Sequence, residues 1–91
     1  GWDTVGIIET YTIISSIHAA DIAAKESPVK IIEIRISDGY GGKSYVKMTG
    51  KIEDVQASMD AAVSYTKEKN RLCAEIIIPQ PHIESKEFFI K

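Results

Sequence analysis

The chain has 91 residues, a formal net charge of -2, 44% apolar residues and 26% charged residues, values that fit one compact globular domain. Its eleven basic and thirteen acidic residues are interspersed without a basic stripe, which argues against nucleic acid as the main partner, and no apolar run approaches the roughly 20 residues that span a bilayer. A chain this short buries only about 60% of the surface its unfolded form exposes, so oligomerisation is an expected source of stability.

Val5 to Thr12 is rich in β-branched and aromatic residues and reads as a strand. Ser15-Ser16 offers a helix N-cap, and the alanine-rich run Ile17 to Glu26 follows as a helix, with Ile17, Ala20 and Ala24 expected on one face. Such a face can lie very close to a sheet. Ser27-Pro28 ends the helix, because a residue before proline is pushed out of the α region.

Val29 to Ile36 reads as the second strand, Ser37 to Gly42 as a turn, and Lys43 to Thr49 as the third strand. Ile52, Val55, Met59, Ala62 and Val63 form a helical apolar stripe. Glu53 and Asp54 in its first turn and Lys67 and Lys69 in its last complement the helix dipole, and Asn70 suits a left-handed closure. Leu72 to Ile78 reads as the fourth strand, stopped by Pro79 and Pro81; the remaining tail reads as a short helix or an arm.

The order β-α-β-β-α-β is the split, ferredoxin-like arrangement of the α+β class: a four-stranded antiparallel sheet with two helices on one face. Residues 1–91 read as one domain, with a core of about 4–82 and a tail of 83–91. Residue parity nominates a helix-covered face at even positions, namely Ile8, Ile32, Ile34, Ile36, Val46, Met48, Leu72, Ala74, Ile76 and Ile78. The odd positions mix Glu9, Glu33, Arg35, Lys47 and Glu75 with Ile7, Tyr11, Ile31, Tyr45 and Ile77. A half-apolar open face implies partial burial by a neighbour or by the tail.

Candidate chemistry is sparse. Ser37-Asp38-Gly39-Tyr40-Gly41-Gly42-Lys43-Ser44 misses the P-loop pattern only at its first position, but a phosphate-binding loop must open a helix, and the residues after Ser44 read as a strand. Three glycines exceed the need of a hairpin and allow backbones to crowd around a symmetry axis. His18 and His82 are the only histidines; with no ligand partner at metal spacing, His18 is expected in solvent or at an interface. Cys73, the single cysteine, makes no internal disulfide, suits a reducing cytoplasm, and is expected to be buried and inert. Glu53-Asp54 is a helix start rather than a catalytic pair. No secretory signal is visible, no cofactor or metal is indicated, and no reaction follows from these residues, so an enzyme is the least supported class. The chain opens on Gly1-Trp2 rather than on a methionine, which fits a trimmed chain or the second half of a longer one.

Several segments, taken in order, resemble the bacterial microcompartment shell proteins. Val5-Gly6-Ile7-Ile8-Glu9-Thr10 resembles their opening strand, and Ala19-Ala20-Asp21-Ile22-Ala23-Ala24-Lys25 their first-helix motif. Gly50 with the helix after it matches as well, and Ile77-Ile78-Pro79-Gln80-Pro81-His82 resembles their closing motif, which usually has arginine where Gln80 stands. The resemblance covers about Val5 to His82 and is nearest to the second half of tandem shell proteins found with propanediol utilisation. It implies discs of six-fold or pseudo-six-fold symmetry that tile around metabolic enzymes inside the cytoplasm. This chain's partners are then itself and other shell proteins, as a homohexamer or as a trimer of tandem chains, with small metabolites passing a central pore and neither nucleic acid nor membrane bound.

In that family the loop after the second strand lines the pore, here Asp38, Gly39, Tyr40, Gly41, Gly42 and Lys43, and the disc edge carries the helix-motif lysine and the closing motif, here Lys25, Gln80 and His82. Gln80 in place of arginine loses a charged, multi-donor contact. Some tandem relatives hold an iron–sulfur cluster through a loop cysteine; this loop has none, so the cluster is not carried over. Asp38, Tyr40 and Lys43 repeated around an axis would give rings of charge and of hydroxyls that select small polar solutes. Two other functions share the strand order: a regulatory module that binds small molecules between subunits, and an RNA-recognition domain. The second needs exposed aromatics beside basic residues, and Ser44 to Thr49 supplies one aromatic.

Overall fold

The computed structural model describes residues 4–37 and 42–79. They form β1 (Thr4–Thr10), α1 (Ile13–Glu26), β2 (Lys30–Ile36), β3 (Ser44–Gly50), α2 (Ile52–Glu68) and β4 (Leu72–Ile78). The strands make one antiparallel sheet in the order β2-β3-β1-β4, with both helices on one face, the expected split arrangement.

The central strands β1 and β3 follow the parity expected of them. Ile8, Val46 and Met48 are fully buried and meet Ala19, Ala23, Val55, Met59 and Ala62 from the helices. Small residues set the spacing. The buried face of α1 is Ser15, Ser16, Ala19, Ala20 and Ala23, displaced by one residue from the expected Ile17, Ala20, Ala24 line. Ile17 is half exposed instead.

The reason lies at the start of α1. Thr12, not Ser15-Ser16, is the N-cap: its Oγ1 accepts the Ser15 amide at 3.1 Å. Ser15 and Ser16 are then free to turn inward, and the buried Ser16 hydroxyl pairs with Thr10 Oγ1 at 2.9 Å. The helices are joined by hydroxyls too: Ser58 donates to the Ala23 carbonyl (2.7 Å) and Ser27 to the Asp54 carbonyl (2.6 Å). Among the described residues no buried side-chain nitrogen or oxygen lacks a partner, as a stable interior requires.

Parity holds on one side of a bulge in each edge strand, at Ile34 and Ile36 in β2 and at Leu72 in β4, and fails on the other side, for one cause. Ile31 pairs with Met48 but Glu33 with Lys47, so Ile32 is an extra residue in β2. Likewise Leu72 pairs with Thr10 but Ala74 with Glu9, leaving Cys73 extra in β4. A bulge of one residue exchanges the faces beyond it. Ile31, Ile34, Leu72 and Ile77 therefore pack on the core, whereas Ile32 bulges outward and Ala74, Ile76 and Ile78 lie opposite Glu9, Ile7 and Val5 on the open face. Cys73 is only half-buried, not the enclosed thiol expected.

The α2 stripe is as expected except at Ile52, which is exposed. Its end is a Schellman closure: Asn70 takes φ 56°, its amide donates to the Lys67 carbonyl at 3.0 Å and the Arg71 amide to the Thr66 carbonyl at 2.8 Å.

Gly6 permits the close approach of α2 to β1. A Cβ there would stand 2.8 Å from Met59 Sδ and 3.0 Å from Val55 Cγ1. Replacing glycine by alanine lowers unfolded-chain entropy by about 0.4–1 kcal/mol, but overpacking costs about 1–3 kcal/mol and prevails. Gly6→Ala is therefore expected to lower the midpoint of urea unfolding without changing the slope; an unchanged or raised midpoint would show that α2 yields freely.

Candidate functional site

The described residues among those singled out from the sequence for the pore and the disc edge fall in two regions: Gly42 and Lys43 in the β2–β3 connection, and Lys25 at the opposite end of the sheet where α1 finishes. The connection is closed by the Ser37 amide donating to the Lys43 carbonyl at 2.8 Å. Gly42 takes φ +75°, a left-handed conformation natural to glycine, with open space where a side chain would stand. Lys43 is half-buried, its ammonium 5.8 Å from the centre of the Tyr11 ring, within cation–π range. Asp38, Gly39, Tyr40 and Gly41 lie outside the described residues.

No helix follows this connection. β3 begins at Ser44, whose buried hydroxyl donates to the Arg35 carbonyl at 2.9 Å, so the near-match to a P-loop is a strand connection, as the residues after it imply.

Lys25 sits at the other end. The C-terminus of α1 and the end of β4 both fall by the Thr4–Gly50 end of the sheet, roughly 20 Å along the strands from Gly42. Lys25 Nζ is 2.9 Å from Asp21 Oδ2, with both side chains mostly in solvent. An exposed i,i+4 pair of this kind contributes little, so Lys25 is readily available to another partner. Gln80 and His82 lie outside the described residues.

The open face divides into two lanes. One is apolar: Val5, Ile7, Ile76 and Ile78 with Ala74. Around Ile7, Glu9, Ala74, Glu75 and Ile76 it forms a shallow cleft of about 320 Å³. The other is polar and cross-linked. Tyr45 donates to Glu33 Oε2 at 2.6 Å, Arg35 Nε lies 3.2 Å from the same oxygen, and Ser37 donates to Glu9 Oε2 at 2.7 Å. The alternation Glu33-x-Arg35 and Tyr45-x-Lys47 put these residues on one face, but their register depends on the Ile32 bulge, which has no mark in the sequence. The Tyr45 hydrogen bond holds the Glu33 carboxyl below its usual value, with Arg35 and Lys47 adding to it against partial desolvation. The same bond raises the Tyr45 phenol.

His18 is exposed, as expected, and leans on Tyr65: Nδ1 is 3.3 Å from the phenol oxygen and the rings meet edge to face at 6.2 Å. Among the described residues no three His, Cys, Asp or Glu side chains could hold a metal together, and no helix is long and apolar enough to cross a membrane.

The fold, the glycine connection and the two-ended layout can be set against known proteins. A family model described as the BMC domain matches residues 4–81. The chain belongs to the BMC domain family. It is 37% identical over 78 residues to bacterial microcompartment shell protein PduT of Citrobacter freundii, covering 86% of this chain and 42% of PduT. It is 26% identical over 87 residues to shell protein EutM of Salmonella typhimurium, covering 96% of this chain and 88% of EutM. A crystal structure of a microcompartment protein from Desulfitobacterium hafniense superposes with a TM-score of 0.83 at 44% identity, covering 96% of this chain and 48% of that one. This BMC domain thus spans about half the length of PduT and of the Desulfitobacterium protein, while it is close in length to EutM.

The polar lane of the BMC domain makes a pH prediction. Because the Glu33 value is lowered on folding, the Tyr45–Glu33 bond contributes above the ordinary carboxylate value and is lost as pH falls through the lowered one. At the alkaline end the raised Tyr45 value means that its contribution is lost as pH rises through that value. In Tyr45→Phe the Glu33 carboxyl, followed by carbon-detected NMR, is expected to titrate nearer the ordinary range; an unmoved midpoint would show that the bond is absent in solution.

Proposed function

We propose that this BMC domain is a structural subunit of a bacterial microcompartment shell, located in that shell and working by association with other shell proteins rather than by catalysis. The observation that carries the reading is the unbroken family match over residues 4–81, supported by similarity to shell proteins PduT and EutM. In this reading the domain is one unit, and six such domains close around an axis, as six chains or as three longer ones.

The β2–β3 connection, residues 38 to 43, would face that axis. The left-handed Gly42, with open space where a side chain would stand, and the Ser37–Lys43 closure support this role, since backbones crowded around an axis favour glycine. Asp38, Tyr40 and Lys43 would then present rings of charge and hydroxyl to small polar metabolites. Lys25, together with Gln80 and His82, would serve the contacts between discs; the weak surface pairing of Lys25 with Asp21 leaves it free to exchange partners. The half-apolar open face and the exposed Ile13 and Ile17 of α1 supply area for contacts between copies.

The native mass of the purified chain tests the assembly. A mass six times the 10.1 kDa of one chain is the expected result. A trimer of the single chain that binds a small molecule saturably between subunits would overturn it in favour of a regulatory module. The pore assignment is tested separately: Tyr40→Ala is expected to change solute flux through assembled shells, and unchanged flux would remove Tyr40 from the constriction.

A further inference from the structure

A second cleft lies where α1 begins and α2 ends, at the same end of the sheet as the β2–β3 connection. It has a volume of about 350 Å³ and is lined by Thr12, Ile14, Ser15, His18, Tyr65, Lys69 and Arg71. Its size is at the small end of ligand pockets.

Its charge is one-sided. Three basic side chains, His18, Lys69 and Arg71, line it and no acidic one does, in a chain whose net charge is -2. Neither Lys69 nor Arg71 has an ion pair among the described residues; the ion pairs there are Lys25–Asp21 and Arg35–Glu33. The Lys69 ammonium is instead held 5.8 Å from the centre of the Tyr65 ring. The backbone beneath them is set by the Schellman closure at Asn70 and by the Tyr11 amide donating to the Arg71 carbonyl at 3.0 Å, so the two cations rise from a fixed turn rather than a loose one.

The remaining lining divides by chemistry. Thr12, Ser15 and Tyr65 bring hydroxyls, while the exposed Ile14 and the face of Tyr65 form an apolar wall. We infer that this cleft is a binding site for the phosphate monoester of a small organic molecule, with Arg71 and Lys69 on the phosphate and Ile14 and Tyr65 against the organic part. A guanidinium presents paired donors that match phosphate geometry, and an ammonium adds a point charge. A carboxylate offers fewer oxygens to the same donors, and inorganic phosphate leaves the apolar wall uncovered.

The test uses the full chain with phenyl phosphate, inorganic phosphate and chloride at matched ionic strength, followed by phosphorus NMR and by calorimetry. Phenyl phosphate is expected to bind saturably, more tightly than inorganic phosphate, and chloride is expected not to displace it. Arg71→Gln is expected to weaken binding about tenfold, the scale of one charge-assisted contact, and Lys69→Gln by a smaller factor. Both residues are exposed, so these variants should fold, which circular dichroism checks. Lys51→Gln removes the same charge at the far end of α2 and is expected to bind as the parent does. Absence of saturable binding, equal loss in Lys51→Gln and Arg71→Gln, or equal affinity for inorganic phosphate and the ester would each overturn the assignment.

Discussion

The close approach of two helices to a narrow sheet is the constraint on which this domain depends. A four-stranded sheet covered on one face has little interior to work with, and what it has is built by bringing backbones near one another. Gly6 in β1 admits Met59 and Val55, while Ala19, Ala20 and Ala23 let α1 settle onto β3 and β2. Interiors are packed like crystals, so each of these small residues is matched to a larger neighbour. The same closeness explains the number of buried hydroxyls. Ser16, Ser44, Ser58, Thr10 and Thr66 occupy the tight layers, where they fit as small side chains and where their oxygens find carbonyls or one another.

From this follows the distribution of everything else. The helices occupy one face, so the open face and the two ends of the sheet remain for contact with other molecules. One end carries the glycine connection and the basic cleft; the other carries Lys25 and the exit of β4. The open face keeps an apolar lane beside a cross-linked polar one. A domain with so little core gains from covering such surfaces, and membership of the BMC domain family makes association the natural use of them.

The element order, the strand count and the central core were legible because β1, β3 and α2 obey simple periodicity. Ile8, Val46 and Met48 alternate without interruption, and Val55, Met59, Ala62 and Val63 keep a helical stripe. Asn70 was legible because its αL geometry has few alternatives. Reading failed where pattern gives no warning. Ile31, Ile32, Ile76, Ile77 and Ile78 are chemically alike, so nothing in the sequence marks the bulges that exchange their faces. Composition starts the first helix too late, because Ser15-Ser16 is as good a cap by residue type as Thr12; the buried bond from Ser16 to Thr10 decides between them. The basic cleft was invisible for another reason. His18 is far in sequence from Lys69 and Arg71 and meets them only because α2 returns to the start of α1.

The two bulges have a further consequence. β2 and β4 are the edges of the sheet, and each carries its extra residue, Ile32 or Cys73, within the strand. An unbroken edge is a template on which another chain can add strands without limit, the route to fibres and aggregates. A bulge interrupts the row of backbone donors and acceptors and coils the edge away from a flat partner. Molecules kept at high local concentration, with apolar side chains in view, are exposed to that hazard more than most. Here growth by backbone pairing is blunted at both margins, so copies that meet are left to recognise one another by side-chain surface and shape, and such contacts stop where the shapes stop fitting.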